Sequence, residues 1–270
     1  MRISIVGGDA RMAHAAQALA AAGHEVSLSA HGEVLLSPEA VAEAEGIMLP
    51  HPLTRDGVHL NAPLSPLSVP LSALFSMLPE GVPLFVGETG GALAGFSGRC
   101  PLFSYKDDEV FLEQNARITA EGAISLLMQR LPTALCDTPC LILGSGRLAR
   151  ALSSLLTGFG APFSVFARNT APLPVGVRPL PLCTLPAEIG KFPLLINTVP
   201  VRLLDAPLLR RAQRGALLLE LAACEGVVDS EAASAAGITL LSAPGLPGRY
   251  SPMSAGRALA GAVLRLLSSP

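Results

Sequence analysis

The residues with the clearest capacity for chemistry form a glycine-rich turn in the second half of the chain. The apolar run LIL at residues 141–143 leads into this turn, and an Ala- and Leu-rich segment follows it. The turn consists of Gly144, Ser145, Gly146, Arg147, Leu148 and Ala149. In the pattern G-x-G-x-x-A the first glycine permits the tight turn, the second admits a pyrophosphate, and the small last residue lets helix and strand pack closely. The motif predicts dinucleotide binding at the start of a helix, with a purely structural turn as the alternative.

The residues after the next strand indicate which dinucleotide is bound. NAD-binding proteins place an Asp or Glu there, where it binds the ribose 2′-hydroxyl group. Here the strand FSVFA ends in Arg168, Asn169 and Thr170, and no acidic residue stands between Asp137 and Glu188. A guanidinium group binds phosphate through two hydrogen bonds. The sequence therefore favours NADP over NAD, unless Arg168 is an ordinary surface arginine.

Two later segments are predicted to contact the same cofactor, because ligands of doubly wound sheets bind outside the carboxyl ends of the strands. The strand LLI at residues 194–196 leads into Asn197, Thr198, Val199 and Pro200. A Gly- and Pro-rich segment that contains Gly245 and Leu246 follows the strand ITLLS at residues 238–242. The alternative for both segments is an ordinary loop.

The first half of the chain carries another glycine turn, which lacks a complete dinucleotide motif. Two glycines end the apolar run ISIV, and Asp9 follows them in a position to cap a helix. Arg11 lies one turn into that helix, where it would point over the carboxyl edge of a sheet toward an anionic substrate. Thr54 stands in a Pro-rich loop over residues 49–70, and loops of that length are usually functional. These three residues are candidate substrate ligands, although each alone is more often a surface residue.

The segment NARITAEGAI, residues 115–124, lies between the two halves. We expect a helix to begin here with Thr119 as its cap, so that free N–H groups near Ala120 could hold a substrate carboxylate. Glu121 is a candidate proton acceptor. It is equally compatible with a first-turn glutamate that only favours the helix dipole.

The strand and helix pattern supplies a scaffold that could bring these residues together. Apolar strands alternate with Ala- and Leu-rich helices in both halves, which is the signature of an α/β fold. We predict two doubly wound Rossmann-like domains with an interdomain cleft. The substrate-side α/β domain covers residues 1–115, a linking helix covers residues 116–135, and the NADP-binding Rossmann domain with a C-terminal helix covers residues 136–270.

Composition and charge exclude several other classes. Of the 270 residues, 50% are hydrophobic and 15% are charged, with a net charge of −2. A disordered chain is more polar, and a nucleic-acid-binding protein is more basic. The longest apolar stretches are about half as long as a membrane-spanning helix, and the N-terminus does not resemble a signal peptide. We expect a cytoplasmic protein with no nucleic-acid or membrane partner, five buried reduced cysteines and no bound metal.

Several segments, in this order, resemble the family of dipicolinate synthase A subunits from spore-forming bacteria. They are GGDARMAHAAQALAAAGHEV, PLTRDGVHLNAP, NARITAEGAI, LILGSGRLARAL, FARNTA, INTVP and APGLPGRYSPMSAG. The chain departs from the family at Ile118, where the family tends to have Pro, and at Glu220, where it tends to have Asp. The chain also looks short for the family after Thr170.

The resemblance implies an NADP-dependent oxidoreductase of dipicolinic acid biosynthesis during sporulation. Such an enzyme oxidises dihydrodipicolinate to dipicolinate, pyridine-2,6-dicarboxylate. It binds a small dicarboxylate substrate and works with a flavoprotein-like B subunit, and a homo-oligomer is compatible with this. Two alternatives stay open. One is an NADP oxidoreductase like shikimate dehydrogenase, which would need a Lys–Asp pair in the first domain, where Lys106 is the only lysine. The other is a non-catalytic NADP-binding partner subunit.

Overall fold

The computed structural model describes residues 1–96, 98–168, 173–174, 176–177, 179–222 and 226–268. The chain forms two compact units. The N-terminal unit comprises Met1–Asn115 together with Pro247–Pro270, and the second, here called the Rossmann unit, comprises Ala116–Leu246. Each unit is built on one parallel sheet, which confirms the predicted α/β class with two doubly wound domains.

The N-terminal unit contains a five-stranded parallel sheet in the order β2-β1-β3-β4-β5. Its strands are β1 (Arg2–Val6), β2 (Glu25–Ser29), β3 (Gly46–Met48), β4 (Leu84–Val86) and β5 (Leu102–Ser104). Its first three helices are α1 (Ala10–Ala21), α2 (Pro38–Ala42) and α3 (Leu71–Met77). The central strands are apolar almost throughout, as expected for parallel strands covered by helices on both faces. The strand order reverses between β1 and β3, so the carboxyl ends of these two strands are the expected ligand site.

The boundary between the two units falls inside one long helix, α4 (Glu109–Arg130). The sequence predicts a helical pattern from about Asp108 to Leu131 with an interruption near Asn115, and a separate linking helix over residues 116–135 with Thr119 as its cap. The helix instead runs uninterrupted from Glu109, because no proline stands between residues 109 and 130, and Pro132 follows its end.

The Rossmann unit contains a six-stranded sheet in the order β11-β10-β9-β6-β7-β8. Its strands are β6 (Cys140–Leu143), β7 (Phe163–Ala167), β8 (Leu180–Pro181), β9 (Leu194–Asn197), β10 (Leu217–Glu220) and β11 (Thr239–Ser242). Its helices are α5 (Arg147–Gly158), α6 (Leu185–Glu188), α7 (Ala206–Leu209) and α8 (Ser230–Ala235). Numbered within this unit alone, the order is 3-2-1-4-5-6, which is that of dinucleotide-binding domains, and it reverses between β6 and β9.

The chain ends in two helices, α9 (Leu246–Tyr250) and α10 (Pro252–Ser268). The sequence placed the C-terminal helix in the cofactor domain, but residues 247–270 belong to the N-terminal unit. The buried face of α10 carries mostly small residues, so it can lie close to the Ala-rich α1, on which it packs. Arg265 of α10 adds a bidentate ion pair, with its Nε 2.7 Å from Asp108 Oδ2 and its Nη2 2.9 Å from Oδ1. These hydrogen bonds hold the pKa of Asp108 below its usual value.

In the described part of the chain, no helix combines the length and the apolar character needed to cross a lipid bilayer. The four cysteines within the described residues have free thiols. Cys100 and Cys140 are buried as expected, whereas Cys136 and Cys183 are exposed. Cys224 lies outside the described residues.

A single glycine sets the distance between α1 and α10. A Cβ atom at Gly256 would overlap the main-chain oxygen of Arg11 and lie 2.6 Å from His14 Cβ. A Cβ atom at Gly261 in the same helix would meet only the guanidinium end of Arg265, with its nearest atom 3.1 Å away. We therefore expect Gly256→Ala to lower the free energy of unfolding by about 1–3 kcal/mol through overpacking.

The matched control is Gly261→Ala, for which we expect no loss, because alanine is the better helix former and the arginine end can move. Urea unfolding of both variants makes the comparison. Equal stability of the two variants would show that α10 does not pack on α1 through Gly256.

Candidate functional site

Two turns meet where the strand order of the Rossmann unit reverses. Gly144 ends β6 with a φ of +106°, a conformation that favours glycine. A Cβ atom there would lie 2.5 Å from Thr198 Oγ1 and 3.1 Å from Val199 Cγ2, so the turn after β9 lies directly against this glycine. The Thr198 hydroxyl group and main-chain N–H both donate to the Leu143 oxygen, at 2.7 and 3.1 Å. The predicted glycine turn and the predicted turn after β9 are thus brought together.

The start of α5 has the features that a pyrophosphate requires. Gly146 is exposed, and a Cβ atom on it would meet nothing within 4 Å, so the main chain is open to an approaching ligand. The helix begins at Arg147, and no side chain at its N-cap satisfies the first N–H groups. Ala149 is fully buried, as close packing of helix and strand requires. These residues fit the pyrophosphate of a dinucleotide.

The predicted residues for the 2′-phosphate lie at the end of the neighbouring strand. Arg168 directly follows β7, which pairs with β6, and its side chain is exposed. Arg168 therefore stands at the same sheet edge as the glycine turn. Asn169 and Thr170 lie outside the described residues.

A buried polar pair, Asn197 with Glu220, lies under the turn after β9. The side chain of Asn197 is 1% exposed, and its Nδ2 donates to Glu220 Oε2 at 2.7 Å and to the Val199 oxygen at 3.2 Å. Its Oδ1 accepts the Val199 N–H at 3.1 Å. The side chain predicted to contact the cofactor is thus used inside the protein, where it shapes the turn that carries Val199.

Glu220 was not among the predicted site residues, because nothing in the sequence pairs the ends of β9 and β10. Its Oε1 accepts the Ala222 N–H at 2.6 Å, and the residue is 8% exposed. Burial raises the pKa of Glu220 above its usual value, although the hydrogen bonds from Asn197 and from the main chain act in the opposite direction.

The remaining residues predicted to contact the cofactor differ in their exposure. Pro200 is exposed after β9, and Gly245 is exposed with a φ of +69° after β11. Leu246 is fully buried, so only its main chain could face a ligand.

The N-terminal unit has its own constellation where its strand order reverses. Asp9 caps α1, and its carboxylate accepts hydrogen bonds from Arg11 Nε, 2.8 Å from Oδ1 and 3.1 Å from Oδ2. Arg11 Nη2 donates to the main-chain oxygen of His51, 3.1 Å away in the turn after β3. Burial raises the pKa of Asp9, but the hydrogen bonds and charge of Arg11 outweigh it, and the net shift is downward. Arg11 thus joins the two turns, with its side chain 14% exposed.

The loop over residues 53–61 is held to the same place by Asn61. The Gly8 N–H donates to the Asn61 oxygen at 2.9 Å, and Asn61 Nδ2 donates to the Pro52 oxygen at 2.9 Å. Asn61 Oδ1 accepts from Arg55 Nε at 3.1 Å, which orients an exposed cation at the site. Thr54, a predicted substrate ligand, instead bonds within the loop, to Asp56 at 3.1 Å and to the Gly57 N–H at 2.9 Å.

Two further charged residues come from the neighbouring strand ends. Glu88 follows β4, Lys106 follows β5, and Lys106 Nζ lies 2.6 Å from Glu88 Oε1. Arg11, Arg55 and Lys106 lie at this edge with the carboxylates of Asp9 and Glu88, and Asp56 and Asp107 follow Arg55 and Lys106 in sequence. Of the three cations, Arg55 is hydrogen-bonded to a neutral side chain, that of Asn61, so its charge could serve an anionic ligand.

The helix candidates do not provide the predicted carboxylate site. Thr119, Ala120 and Glu121 lie ten or more residues inside α4, where main-chain N–H groups bond to the preceding turn. Thr119 therefore caps no helix, and Ala120 is fully buried. Glu121 is exposed. The prediction failed because it placed the helix start too late.

No group of three or more His, Cys, Asp or Glu side chains suited to a metal ion lies within the described residues.

Comparison with known proteins gives this geometry a family context. Residues 2–96 match the family described as the N-terminal domain of the dipicolinate synthase A subunit. The corresponding A subunit of dipicolinate synthase from Bacillus subtilis is 29% identical over 171 residues, which is 62% of this chain and 57% of that protein. The match therefore spans little more than half of the relative.

Solved structures extend the likeness to both units. The A chain of dipicolinate synthase from Bacillus subtilis has a TM-score of 0.84 and 25% identity, with 98% of this chain and 95% of that chain covered. Its counterpart from Bacillus halodurans, also a dipicolinate synthase A subunit, has a TM-score of 0.88 and 24% identity, with 99% and 98% covered. This chain is similar to the dipicolinate synthase A subunits in sequence and in fold. The resemblance inferred from sequence is confirmed.

The fold is shared more widely than the family. An L-alanine dehydrogenase has a TM-score of 0.63 at 15% identity, with 98% of this chain and 88% of that chain covered. That likeness concerns the fold alone. The match to the dipicolinate synthase family, in contrast, contains the switch-point residues of the N-terminal unit from Asp9 to Glu88.

The Asn197–Glu220 pair can be tested with one substitution. Asn197→Asp keeps the acceptor for the Val199 N–H but replaces the donor to Glu220 with a carboxylate oxygen. Ionising both of two adjacent carboxyl groups costs free energy, so the folded variant should keep one proton on the pair. The unfolded chain releases that proton. We expect the variant to lose about 2–4 kcal/mol of unfolding free energy at pH 7.5.

Because the folded variant binds the extra proton, its stability should recover as the pH falls toward the ordinary carboxyl pKa. Urea unfolding at several pH values measures this, with the exposed change Gln213→Glu as a control for an amide-to-acid replacement. A loss that does not depend on pH would contradict the pairing.

Proposed function

We propose that this chain is the NADP-dependent oxidoreductase subunit of a dipicolinate synthase, its A subunit, which oxidises dihydrodipicolinate to dipicolinate in sporulating cells. When bound, NADP⁺ supplies the hydride acceptor. The ring loses a hydride and a proton, so dihydrodipicolinate and NADP⁺ become dipicolinate, NADPH and H⁺. Because the ring becomes aromatic, the protein's main task is to orient it and hold its two carboxylates.

The observation that carries the proposal is the combination of two switch-point sites in one chain. One carries Arg11 and Arg55, in the region that matches the N-terminal domain of the dipicolinate synthase family, together with Lys106 from the next strand end. The other has the strand order and the uncapped helix start of a dinucleotide site. A small dianion and a nicotinamide dinucleotide are the ligands that suit these two sites.

In this proposal the main chain of residues 144–149 holds the pyrophosphate, and Thr198, Val199 and Pro200 lie beside the nicotinamide ribose. Arg168 binds the 2′-phosphate. The support for NADP is an exposed guanidinium after β7 and the absence of any acidic residue between Asp137 and Glu188. An acidic residue at that position would repel a phosphate.

The dicarboxylate belongs, in this proposal, to the switch point of the N-terminal unit. Arg55 and Lys106 offer charge to its carboxylates, with Arg55 oriented by the neutral Asn61 and Lys106 by the Glu88 carboxylate. Arg11 is bonded to Asp9 and to the His51 main-chain oxygen and is largely buried, so its role in this proposal is to fix the site.

The two alternative functions are distinguishable. A shikimate-dehydrogenase-like enzyme would use a Lys–Asp pair, but Lys106 bonds to Glu88 rather than to Asp107. A non-catalytic subunit would bind NADP yet reduce none of it alone. The relatives are named as one subunit of a synthase, which supports a partner, and we propose a flavoprotein-like B subunit.

The reaction itself gives the direct test of function. Purified chain mixed with dihydrodipicolinate and NADP⁺ should generate the absorbance of NADPH, at a rate that rises with enzyme concentration. NADPH formation that requires the B subunit would favour the non-catalytic alternative. No NADPH with or without that partner would overturn the proposed function.

The choice of cofactor rests on Arg168. We expect Arg168→Ala to weaken NADP⁺ binding by about 10- to 100-fold, because a hydrogen-bonded charge contributes about 1.5–3 kcal/mol. NAD⁺ binding should change by less than about threefold. Calorimetric titration measures both, and Arg210→Ala, an exposed arginine in the same unit, is the matched control. Equal weakening of both cofactors would contradict a 2′-phosphate contact.

A further inference from the structure

His51 occupies the point in the N-terminal unit where a ligand is expected. It stands in the turn after β3, beside the glycine turn after β1, at the reversal of strand order. Its main-chain oxygen accepts from Arg11 Nη2, and the main-chain oxygen of the next residue, Pro52, accepts from Asn61. The turn is therefore held from two sides, which fixes the imidazole relative to the sheet edge.

The imidazole lies directly on the main chain of Gly87. A Cβ atom at Gly87 would overlap His51 Nδ1 and Cγ, so only glycine leaves room for the ring after β4. Nδ1 is buried and has no hydrogen-bond partner in the part of the chain described. The residue as a whole is only partly buried, which leaves Nε2 as the ring nitrogen that a ligand can reach.

The charges around the ring keep it neutral at pH 7. Burial lowers the pKa of His51 below its usual value, and the positive charges of Lys106 and Arg11 lower it further. The Glu88 carboxylate acts in the opposite direction. These three charged groups come from the elements around the ring: Lys106 from the turn after β5, Arg11 from α1 and Glu88 from the turn after β4.

The other histidines have different surroundings. His31 Nε2 lies 3.2 Å from the main-chain oxygen of Asp9. His59 Nδ1 lies 2.7 Å from Asp56 Oδ2, and His14 Nδ1 lies 3.1 Å from Gln17 Oε1. His24 has a buried Nδ1 without a partner among the described residues, but it precedes β2 and so lies at the amino edge of the sheet. His51 is the histidine that combines a lowered pKa with a place at the carboxyl edge.

We propose that His51 Nε2 accepts the proton that the dihydrodipicolinate ring loses when it becomes aromatic. The inference rests on the proposed function, since it names the group that completes that reaction. One ring hydrogen leaves as hydride, with its electron pair, and passes to NADP⁺. A second hydrogen leaves as a proton to His51 Nε2, and the electron pair of its bond stays in the ring. The products are dipicolinate, NADPH and a protonated His51, which then releases its proton to water. The neighbouring cations meanwhile face the substrate carboxylates.

The test is the pH dependence of turnover by the whole chain with saturating NADP⁺. A base must be unprotonated, so the wild-type rate should rise with pH and level off above the lowered pKa of His51. His51→Asn should lower the plateau rate about a hundredfold or more, and the fall in rate at low pH, here called the acid limb, should disappear. Dipicolinate and NADP⁺ should still bind to this variant. His14→Asn is the matched control and should keep both.

Two further variants leave His51 in place and so test the role even if His51→Asn folds poorly. Lys106→Met removes a positive charge and should move the acid limb to higher pH, since protonation of His51 becomes easier. Glu88→Gln removes a negative charge and should move the limb to lower pH. A merely structural role for His51 predicts no movement of the limb in either variant.

The outcomes separate the two proposals. If the wild-type chain forms no NADPH from dihydrodipicolinate, with or without the B subunit, both the function and the role of His51 are overturned. If it does form NADPH, but His51→Asn keeps the plateau rate and the acid limb, only the role of His51 is overturned. An acid limb that stays at the wild-type pH in both Lys106→Met and Glu88→Gln would overturn that role as well.

Discussion

The ion pair between Asp9 and Arg11 is the interaction on which the N-terminal site depends. The Asp9 carboxylate caps α1, so the pair is fixed at the junction between the first strand and the first helix. From there Arg11 reaches the main chain of His51, 40 residues away in sequence. This side chain therefore ties the turn after β1 to the turn after β3, and it makes one rigid edge out of two loops.

The surrounding structure preserves the pair through close contacts that only small residues allow. A Cβ atom at Gly248 would lie 2.7 Å from Asp9 Oδ2 and 3.2 Å from Arg11 Nε, and Gly256 lies against the Arg11 main chain. The C-terminal segment of the chain therefore closes over the first helix turn. This explains why residues 247–270 belong to the N-terminal unit although they follow the Rossmann unit in sequence.

Both units follow the same topological rule, and in the proposed function they take different ligands. In the Rossmann unit the glycine turn is open and its helix is uncapped, which suits a phosphate. In the N-terminal unit the corresponding helix is already capped by Asp9, so its N–H groups are less available to a ligand. The proposed function therefore assigns main-chain binding to the complete glycine motif and side-chain binding to the incomplete one.

Much of this could be predicted from sequence, since the glycine turns, the strands and Arg168 are local features. Local pattern could not show that Gly256 lies on α1, that Asn197 is paired with Glu220, or that the long helix continues without interruption past Asn115. These depend on contacts between distant residues and on a helix that continues through a polar stretch. His51 was overlooked for the same reason. Its pKa is lowered by burial and by the charges of Lys106 and Arg11, none of which its own segment reveals.

The central claim is that a small diacid sits beside a neutral His51 at the carboxyl edge of the N-terminal sheet. Nuclear magnetic resonance on chain labelled with ¹⁵N-histidine tests it most directly, with the His51 signal assigned by its loss in the Asn variant. At pH 7 the free protein should show a neutral His51 ring, and saturating dipicolinate should shift the Nε2 signal of that ring more than those of the other four histidines. A ring that is already protonated, or a His51 signal that dipicolinate leaves unchanged, would contradict the account.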